Sequence, residues 1–334
     1  PCFPARTFVP AMNPHSIEIT SGAEPVQGRF ADLVPGEEFP DARIIVRNAQ
    51  GGDVGYAALW WNDVPSLENE SLGAIGGFAA DDEESAHAVL NAALDHLREV
   101  GRTIAVGPMN GNTWRKYRFV DSSGERAPFL LEPVNPPDYP GWWRNAGLAE
   151  LSWYSSSIME LDGTEAVPPA LKARLLRTGL SIRPMNPERY DEELGLIHAI
   201  SLKSFAANFL YTPLAEEAFL ASYRKVKAHV DRDFVLIAEK NGEPCGFVFG
   251  IPDLAAAARG EKPALIVKTL AVDPDSRSAG LGSLLVDELH RAGRAKGYTE
   301  AIHALQHQNN TSLKITGRHE GRVFRRYVLF SKRL

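Results

Sequence analysis

Apolar and polar positions recur along this chain with two periods, a strand-like alternation and a helical stripe, and the succession is run through twice. Arg43–Arg47 and Val54–Trp61 read as strands joined by the turn Gln50-Gly51-Gly52-Asp53. Leu72–Phe78 reads as a third strand. Ala86, Val89, Leu90, Ala93, Leu94 and Leu97 then fall on one helical face, and Gly101 follows the end. Thr103–Val106 reads as a short buried strand and Pro128–Pro140 as a proline-rich loop. Trp142–Ala146 reads as one helical turn stopped by Gly147, before a strand over Leu151–Met159.

The second half repeats the order with different residues. Asp162–Pro169 reads as a linker and Ala170–Arg177 as a short helix. Ser181–Arg183 begins the next domain, with helices over Glu192–Ser204 and Leu214–Lys225. Phe234–Glu239 and Cys245–Gly250 form a hairpin whose turn signal is Asn241-Gly242. Leu265–Val272 is a strand, and Leu281, Leu284, Leu285, Leu289 and Ala292 line one face of the following helix. Glu300–Leu305 is a strand, Thr311–Thr316 a brief helix, and Val323–Phe330 the closing strand. The pattern divides the chain into an irregular arm (1–16), a first domain (17–165), a linker and helix (166–180) and a second domain (181–334). The duplication is one of architecture, not of letters.

Composition adds limits. A chain of 334 residues with 44% hydrophobic and 23% charged residues holds about two globular domains. No stretch approaches the ~18 uninterrupted apolar residues of a membrane span, so no membrane partner is expected. The two cysteines, Cys2 and Cys245, support neither a disulfide framework nor a cysteine-rich zinc site, and a reducing, cytoplasmic setting is expected. The chain starts at Pro1, so residues can be missing ahead of it; a cleaved signal peptide is disfavoured. The net charge of −6 divides at residue 165 into −13 before and +7 after. The mild basic excess and a pI near 5.9 argue against nucleic acid. Mutual attraction of the two halves is the simplest account of the asymmetry.

The stretch Leu270-Ala271-Val272-Asp273-Pro274-Asp275-Ser276-Arg277-Ser278-Ala279-Gly280-Leu281-Gly282-Ser283 carries the chemistry. A buried strand is stopped by Pro274, and a loop with two glycines opens straight into a helix. Backbone N–H groups at a helix start lack partners and the helix dipole is positive there, so an anion is favoured. Gly280 and Gly282 allow close approach to the backbone, and Arg277 adds a planar cationic fork. Together these features predict a pyrophosphate site. The loop lacks the Gly-Lys-Ser/Thr ending of a P-loop and the third glycine of a dinucleotide fingerprint.

Read as Arg-x-x-Gly-x-Gly after a strand ending Leu-x-Val-x-Pro, the segment resembles the acyl-CoA loop of the GNAT-type N-acyltransferases, whose order of elements fits residues 181–334. The resemblance implies an α/β (α+β) chain of two GNAT-like domains, each a mixed, splayed central sheet flanked by helices. It implies acetyl-CoA as co-substrate and no metal. The amides of Arg277, Ser278, Ala279, Gly280, Leu281, Gly282 and Ser283 would cradle the pyrophosphate. Leu270, Ala271 and Val272 would lie along the pantetheine, with free backbone groups at Leu270 and Val272. The Val272 N–H, or one close to it, would stabilise the oxyanion. Asn309 or Asn310 would meet the pantetheine, the alternative for the pair being a helix cap.

The chain departs from the family pattern at the short helix after the asparagines. Ser312-Leu313-Lys314-Ile315-Thr316-Gly317 contains no tyrosine to protonate the departing sulfur, and Tyr327 lies outside the motif. His303 and His307, at the end of a strand near the thioester in this fold, are the candidate bases, and Glu239 is a weaker one. Lys268 reads as a core-edge lysine. His303, His307 and Asp253 have no metal-ligand spacing.

In the first domain the equivalent of the loop is Ala79-Ala80-Asp81-Asp82-Glu83-Glu84-Ser85. Four carboxylates at a helix start would repel a pyrophosphate, which marks this copy as degenerate. The loops Gly107–Trp114 and Glu132–Tyr139 offer amide and aromatic groups for a small molecule, or else fill a core. The expected activity is transfer of an acetyl group to an amine of a small-molecule acceptor by direct attack in a ternary complex. The alternatives are an acyl-CoA sensor without turnover and an aminoacyl or longer-chain acyltransferase. The oligomeric state is open, a homodimer being one option.

Overall fold

The computed structural model describes residues 15–276 and 279–334. In chain order the strands and helices of the first stretch are β1 (His15–Ser21), β2 (Ala42–Asn48), β3 (Asp53–Trp60), β4 (Leu72–Ala80), α1 (Glu83–Glu99) and β5 (Ile104–Gly107). There follow β6 (Phe119–Ser122), α2 (Tyr139–Asn145), β7 (Ala149–Glu160), α3 (Pro169–Arg177) and β8 (Leu180–Pro184). The rest comprises α4 (Tyr190–Phe205), α5 (Glu216–Arg224), β9 (Val235–Lys240), β10 (Glu243–Pro252), α6 (Leu254–Ala258), β11 (Leu265–Val272), α7 (Leu281–Ala295), β12 (Glu300–His307), α8 (Ser312–Arg318) and β13 (Arg322–Arg333). His15 and Ser16, expected in an irregular arm, pair with Asn48 and Arg47 as the start of β1.

Two compact units result. The first holds the chain up to Tyr117 with Gly141–Ala149 and Ser331–Leu334; the second holds Arg118–Pro140 and Glu150–Phe330. The boundary expected at residue 165 is therefore crossed. Residues 118–140 and the strand β7 from Glu150 onward belong to the second unit, where β7 pairs antiparallel with β12.

In the first unit β1, β2, β3 and β4 are antiparallel neighbours, and β5 lies parallel to β4. A parallel partner needs a crossover, and α1 supplies it. The predicted stripe Ala86, Val89, Leu90, Ala93, Leu94 and Leu97 is buried. Asp82 caps the helix in a capping box with Ser85.

The second unit repeats the plan. β8, β9, β10 and β11 are antiparallel neighbours, and β12 lies parallel to β11. Here α7 is the crossover, with Leu281, Leu284, Leu285 and Leu289 at most 1% exposed. Each such leucine contributes about 2 kcal/mol by leaving water. On the other face of the sheet, Leu194 and Ile197 of α4 and Phe219 of α5 pack with Ile237, Phe247 and Ala271. The Asn241-Gly242 turn has φ of 54° and 86°, the left-handed pair that a tight hairpin requires. Both units are thus mixed sheets flanked by helices.

Candidate active site

The parallel pair β11–β12 is short. Leu265, Ile266 and Val267 face Ala301, Ile302 and His303, and there the pairing ends. Both strands carry an irregularity at this level. On β11 the register with β10 passes from Phe249–Thr269 to Gly250–Val267, leaving Lys268 as an extra residue. On β12 the register with β7 passes from His303–Ser157 to Gln306–Ser155, so Ala304 and Leu305 oppose Ser156 alone. Such bulges bend a strand, and two of them side by side open a fork. Leu305 takes a left-handed φ of 57°. It is held there by Ser156 Oγ, which accepts its N–H at 3.0 Å, and by Arg118, which donates to its carbonyl at 3.3 Å.

A cavity of about 140 Å³ lies in the fork. Leu270 of β11, His303 and Gln306 of β12, and Asn310, Ser312 and Ile315 around the start of α8 all line it. Asp273 N–H donates to Cys245 O of β10 at 2.9 Å. By the two-residue alternation of a strand, the amides of Leu270 and Val272 face away from β10, toward the side that β12 has left. The expected free backbone groups thus lie on the open edge. Leu270 reaches the cavity lining; Val272 stands beyond it. The Ala271 side chain is buried among Phe247, Ile237 and Leu194.

The first turn of α7 abuts the same cavity. Gly280 precedes the helix with φ of 95°, and no side chain caps it. A Cβ on Gly282 would lie 3.4 Å from Ile315 Cδ1 and 3.7 Å from Leu270 Cδ2, two residues of the cavity wall. The opening N–H groups of a helix have no partner within it, so those of Leu281, Gly282 and Ser283 form an anion-attracting end beside the fork. Ser283 Oγ accepts from Arg318 of α8 at 3.0 Å, which brings a guanidinium to this turn. Ala279 lies exposed in the preceding turn. Arg277 and Ser278, expected in the same cradle, lie outside the described residues.

The two histidines differ. His303 lines the cavity but is only 3% exposed, and both ring nitrogens are engaged. Nδ1 lies 2.8 Å from Thr316 Oγ1 and Nε2 lies 3.1 Å from His290 Nε2. Burial, with a smaller effect from His319, lowers its pKa to about 3, which makes it a weak proton acceptor. His307 lies outside the cavity lining. Its Nε2 is 2.7 Å from Ser152 Oγ, its Nδ1 accepts from Asn309 N–H at 3.2 Å, and its ring stacks on Phe209. Burial, then the charge of Arg118, lowers its pKa as well.

Asn310 lines the cavity and Asn309 does not. The Asn310 Oδ1 also accepts Ser312 N–H at 3.0 Å, a local turn ahead of α8, whose N-cap position is Thr311 with no side-chain cap. Tyr327 is buried, donating to Glu132 and 2.9 Å from Ser156 Oγ. Glu132 is paired with Arg325 at 3.1 Å, which makes its loop a structural strut. Lys268 Nζ reaches the Tyr223 hydroxyl at 3.4 Å and lines the fork, as does Phe205. Sequence reasoning missed Phe205, Gln306, Ser312 and Arg318. The only local signal was a hydroxyl, Ser312, in the stretch where a tyrosine was sought.

In the first unit the corresponding fork is closed. β4 and β5 pair over Leu72–Ala74 and Ile104–Val106, and β4 then bulges at Gly77, with φ of 56°. The edge beyond is already taken. Met109 N–H donates to Ile75 O at 2.8 Å, and Asn110 Oδ1 accepts Gly77 N–H at 2.9 Å. The loop Gly107–Trp114 therefore plugs this fork with Met109, Asn110 and Asn112, all buried. Among the described residues no group of three or more His, Cys, Asp or Glu side chains could hold a metal ion. Nor, among the described residues, is any helix long and apolar enough to cross a membrane.

Comparison with known proteins agrees with this geometry. Residues 198–316 match the model of the acetyltransferase (GNAT) family. The bacterial ceramide synthase of Caulobacter vibrioides is 25% identical over 252 residues, 74% of this chain and 64% of the relative, so the chain spans less than two thirds of that protein. The GCN5-related glucosamine N-acetyltransferase region of a fungal multi-domain β-N-acetylglucosaminidase superposes with a TM-score of 0.58 at 15% identity. It covers 98% of this chain and 39% of the other. A GCN5-related N-acetyltransferase from Sphaerobacter thermophilus gives a TM-score of 0.53 at 13% identity, covering 87% of this chain and 80% of its own. At such identities the superpositions establish the fold. The matched segment encloses the fork and the start of α7, so it is the second unit that carries the match to the acetyltransferase (GNAT) family.

Proposed function

We propose that this chain moves an acyl group from an acyl-coenzyme A to an amine. The observation that carries the reading is the fork between β11 and β12, with the first turn of α7 at its side and the open edge of β11 along it. The residues present fit the co-substrate. The amides of residues 279–283 would hold the pyrophosphate, with Arg318 adding charge. The open amide and carbonyl groups at Leu270 and Val272 would pair with the pantetheine, and Asn310 would meet it from the opposite wall. An N–H on this open edge, Leu270 or Val272, would take the developing oxyanion. The acceptor nitrogen attacks the thioester carbon directly, both substrates being bound together. With both His303 nitrogens engaged, the proton of the amine passes to solvent at the mouth of the fork. The plugged first unit would bind no coenzyme and would serve as scaffold.

Acetyl is the smallest donor that suits this site. Likeness to the Caulobacter ceramide synthase over three quarters of the chain favours a second reading, a longer acyl chain passed to a lipid-like amine. The test is thiol release from acetyl-, octanoyl- and palmitoyl-CoA, each offered with small amines or with long-chain amino alcohols. Amine-dependent release of coenzyme A is expected. Tight binding of every thioester with no release would favour a sensor and overturn the transferase. The acyl length and amine giving the highest kcat/KM decide between the two donors.

A further inference from the structure

The cavity wall on the side of α8 carries one hydroxyl, that of Ser312, and its surroundings leave its proton unspent. Gln306 Nε2 donates to Ser312 Oγ at 2.6 Å, so the serine oxygen is already an acceptor. The other end of the same amide, Oε1, accepts from Thr316 Oγ1 at 2.9 Å. Thr316 Oγ1 lies 2.8 Å from His303 Nδ1, and His303 Nε2 lies 3.1 Å from His290 Nε2. The threonine has a single proton and two fixed acceptors beside it, Gln306 Oε1 and Ser312 O at 3.2 Å, so the consistent assignment has His303 donating from Nδ1 and accepting at Nε2 from His290. One direction of donation therefore runs from α7 through β12 and α8 to the cavity. Its last member is the Ser312 O–H, which has no acceptor among the described residues. Burial keeps both rings neutral, so protonation does not scramble that direction.

This inference rests on the acyl-CoA reading above. We propose that Ser312 donates a hydrogen bond to the sulfur that leaves the acyl group, in the place where a tyrosine was expected. Gln306, Thr316, His303 and His290 are positioning residues that aim its proton into the fork. The other lining residue of α8, Ile315, has no donor, the Nδ2 of Asn310 is given above to the pantetheine, and Thr269 and Lys268 stand on the β11 wall. As the acceptor nitrogen bonds to the carbonyl carbon, the C–S bond breaks and its electron pair stays on sulfur. The Ser312 O–H stabilises that charge and keeps its own proton. The nitrogen yields a proton to solvent and solvent returns one to sulfur, which leaves an amide and the free thiol.

The experiment compares dissociation constants of coenzyme A and desulfo-coenzyme A, in which the thiol is replaced by hydrogen, on the whole chain. At about pH 9 a free thiol of pKa roughly 8.5 is mostly ionised. A hydrogen bond to that charge is expected to make coenzyme A bind about 10-fold more tightly than the desulfo compound. Ser312→Ala should remove the preference while leaving desulfo-coenzyme A affinity unchanged, and Ser312→Thr should restore it. Gln306→Leu, which frees the serine to turn, should reduce the preference without weakening desulfo-coenzyme A. An equal preference in wild type and Ser312→Ala overturns the serine assignment and leaves the acyl-CoA reading standing. If neither compound binds, the acyl-CoA reading fails and the serine assignment with it.

Discussion

At the scale of single residues, position matters more than type. Gly282 and Gly280 both read as places where a phosphate meets the backbone, yet they differ. Gly280 needs its left-handed φ of 95° and a Cβ there would press on Leu171 at 3.0 Å, whereas Gly282 has room at ordinary contact distances. Gly282→Glu should therefore fold normally while placing a carboxylate against the cavity wall at the anion-attracting end. Coenzyme A binding is expected to fall at least 10-fold with little change in Tm, read by calorimetry and thermal melting; unimpaired binding would mean that the phosphates sit elsewhere. Arg318→Ala removes the guanidinium from the same turn. A several-fold loss of affinity and a shallower salt dependence are expected, as for the loss of one phosphate-facing charge. Neither Arg318 nor Ser312 could be assigned from sequence. Their roles depend on where α8 lies, which is set by residues far away.

At the scale of elements, strands and helices follow the apolar periods closely. β11 falls on Leu265–Val272 as read, and the leucine stripe of α7 is buried as read. The fork between β11 and β12 was less legible, because it is made by bulges. Lys268, Ala304 and Leu305 look like ordinary strand residues, and Leu305 holds its strained backbone through Ser156 and Arg118, contributed by distant segments. β1, β6 and α6 escaped notice, the last two being only four and five residues long. The elements around the fork are tied by His290 of α7, His303 of β12 and Thr316 of α8. Their neutral rings set a pH dependence. The folded His303 has a pKa near 3 against 6.5 when unfolded, so the unfolded chain binds more protons between these values. Stability is full above about pH 6.5 and is lost as pH falls toward 3, by at most about 1.4 kcal/mol per pH unit for each ring. Urea unfolding at pH 7 and pH 5 measures it, and His303→Gln should reduce the difference, His290 keeping its own share.

At the scale of the whole molecule, two units share a plan and differ in what fills the fork. The four carboxylates Asp81–Glu84 and the plug formed by Met109 and Asn110 would both oppose a coenzyme in the first unit. Calorimetric titration should accordingly give one equivalent of coenzyme A per chain, and a stoichiometry of two would disprove the scaffold role. Reversing Glu83 and Glu84 to lysine should leave turnover unchanged. Asp82→Lys should instead cost about 1 kcal/mol of stability, because Asp82 caps α1. The acidic run was plain in the sequence. The plug was not, since nothing local to Met109 and Asn110 says which strand edge they meet.

What the sequence alone determined is what lies within about one turn or one hairpin: the periods of β11 and α7, the Asn241-Gly242 turn, and the glycine-led start of α7. These depend on backbone sterics and on burying apolar faces, both readable from neighbouring residues. Tertiary structure alone decided which distant segments meet. It moved β7 into the second unit, opened one fork and plugged the other, engaged both nitrogens of His303, and set Ser312 in the cavity wall. Strand pairing and buried hydrogen bonds join residues more than a hundred positions apart, and no local pattern records such choices.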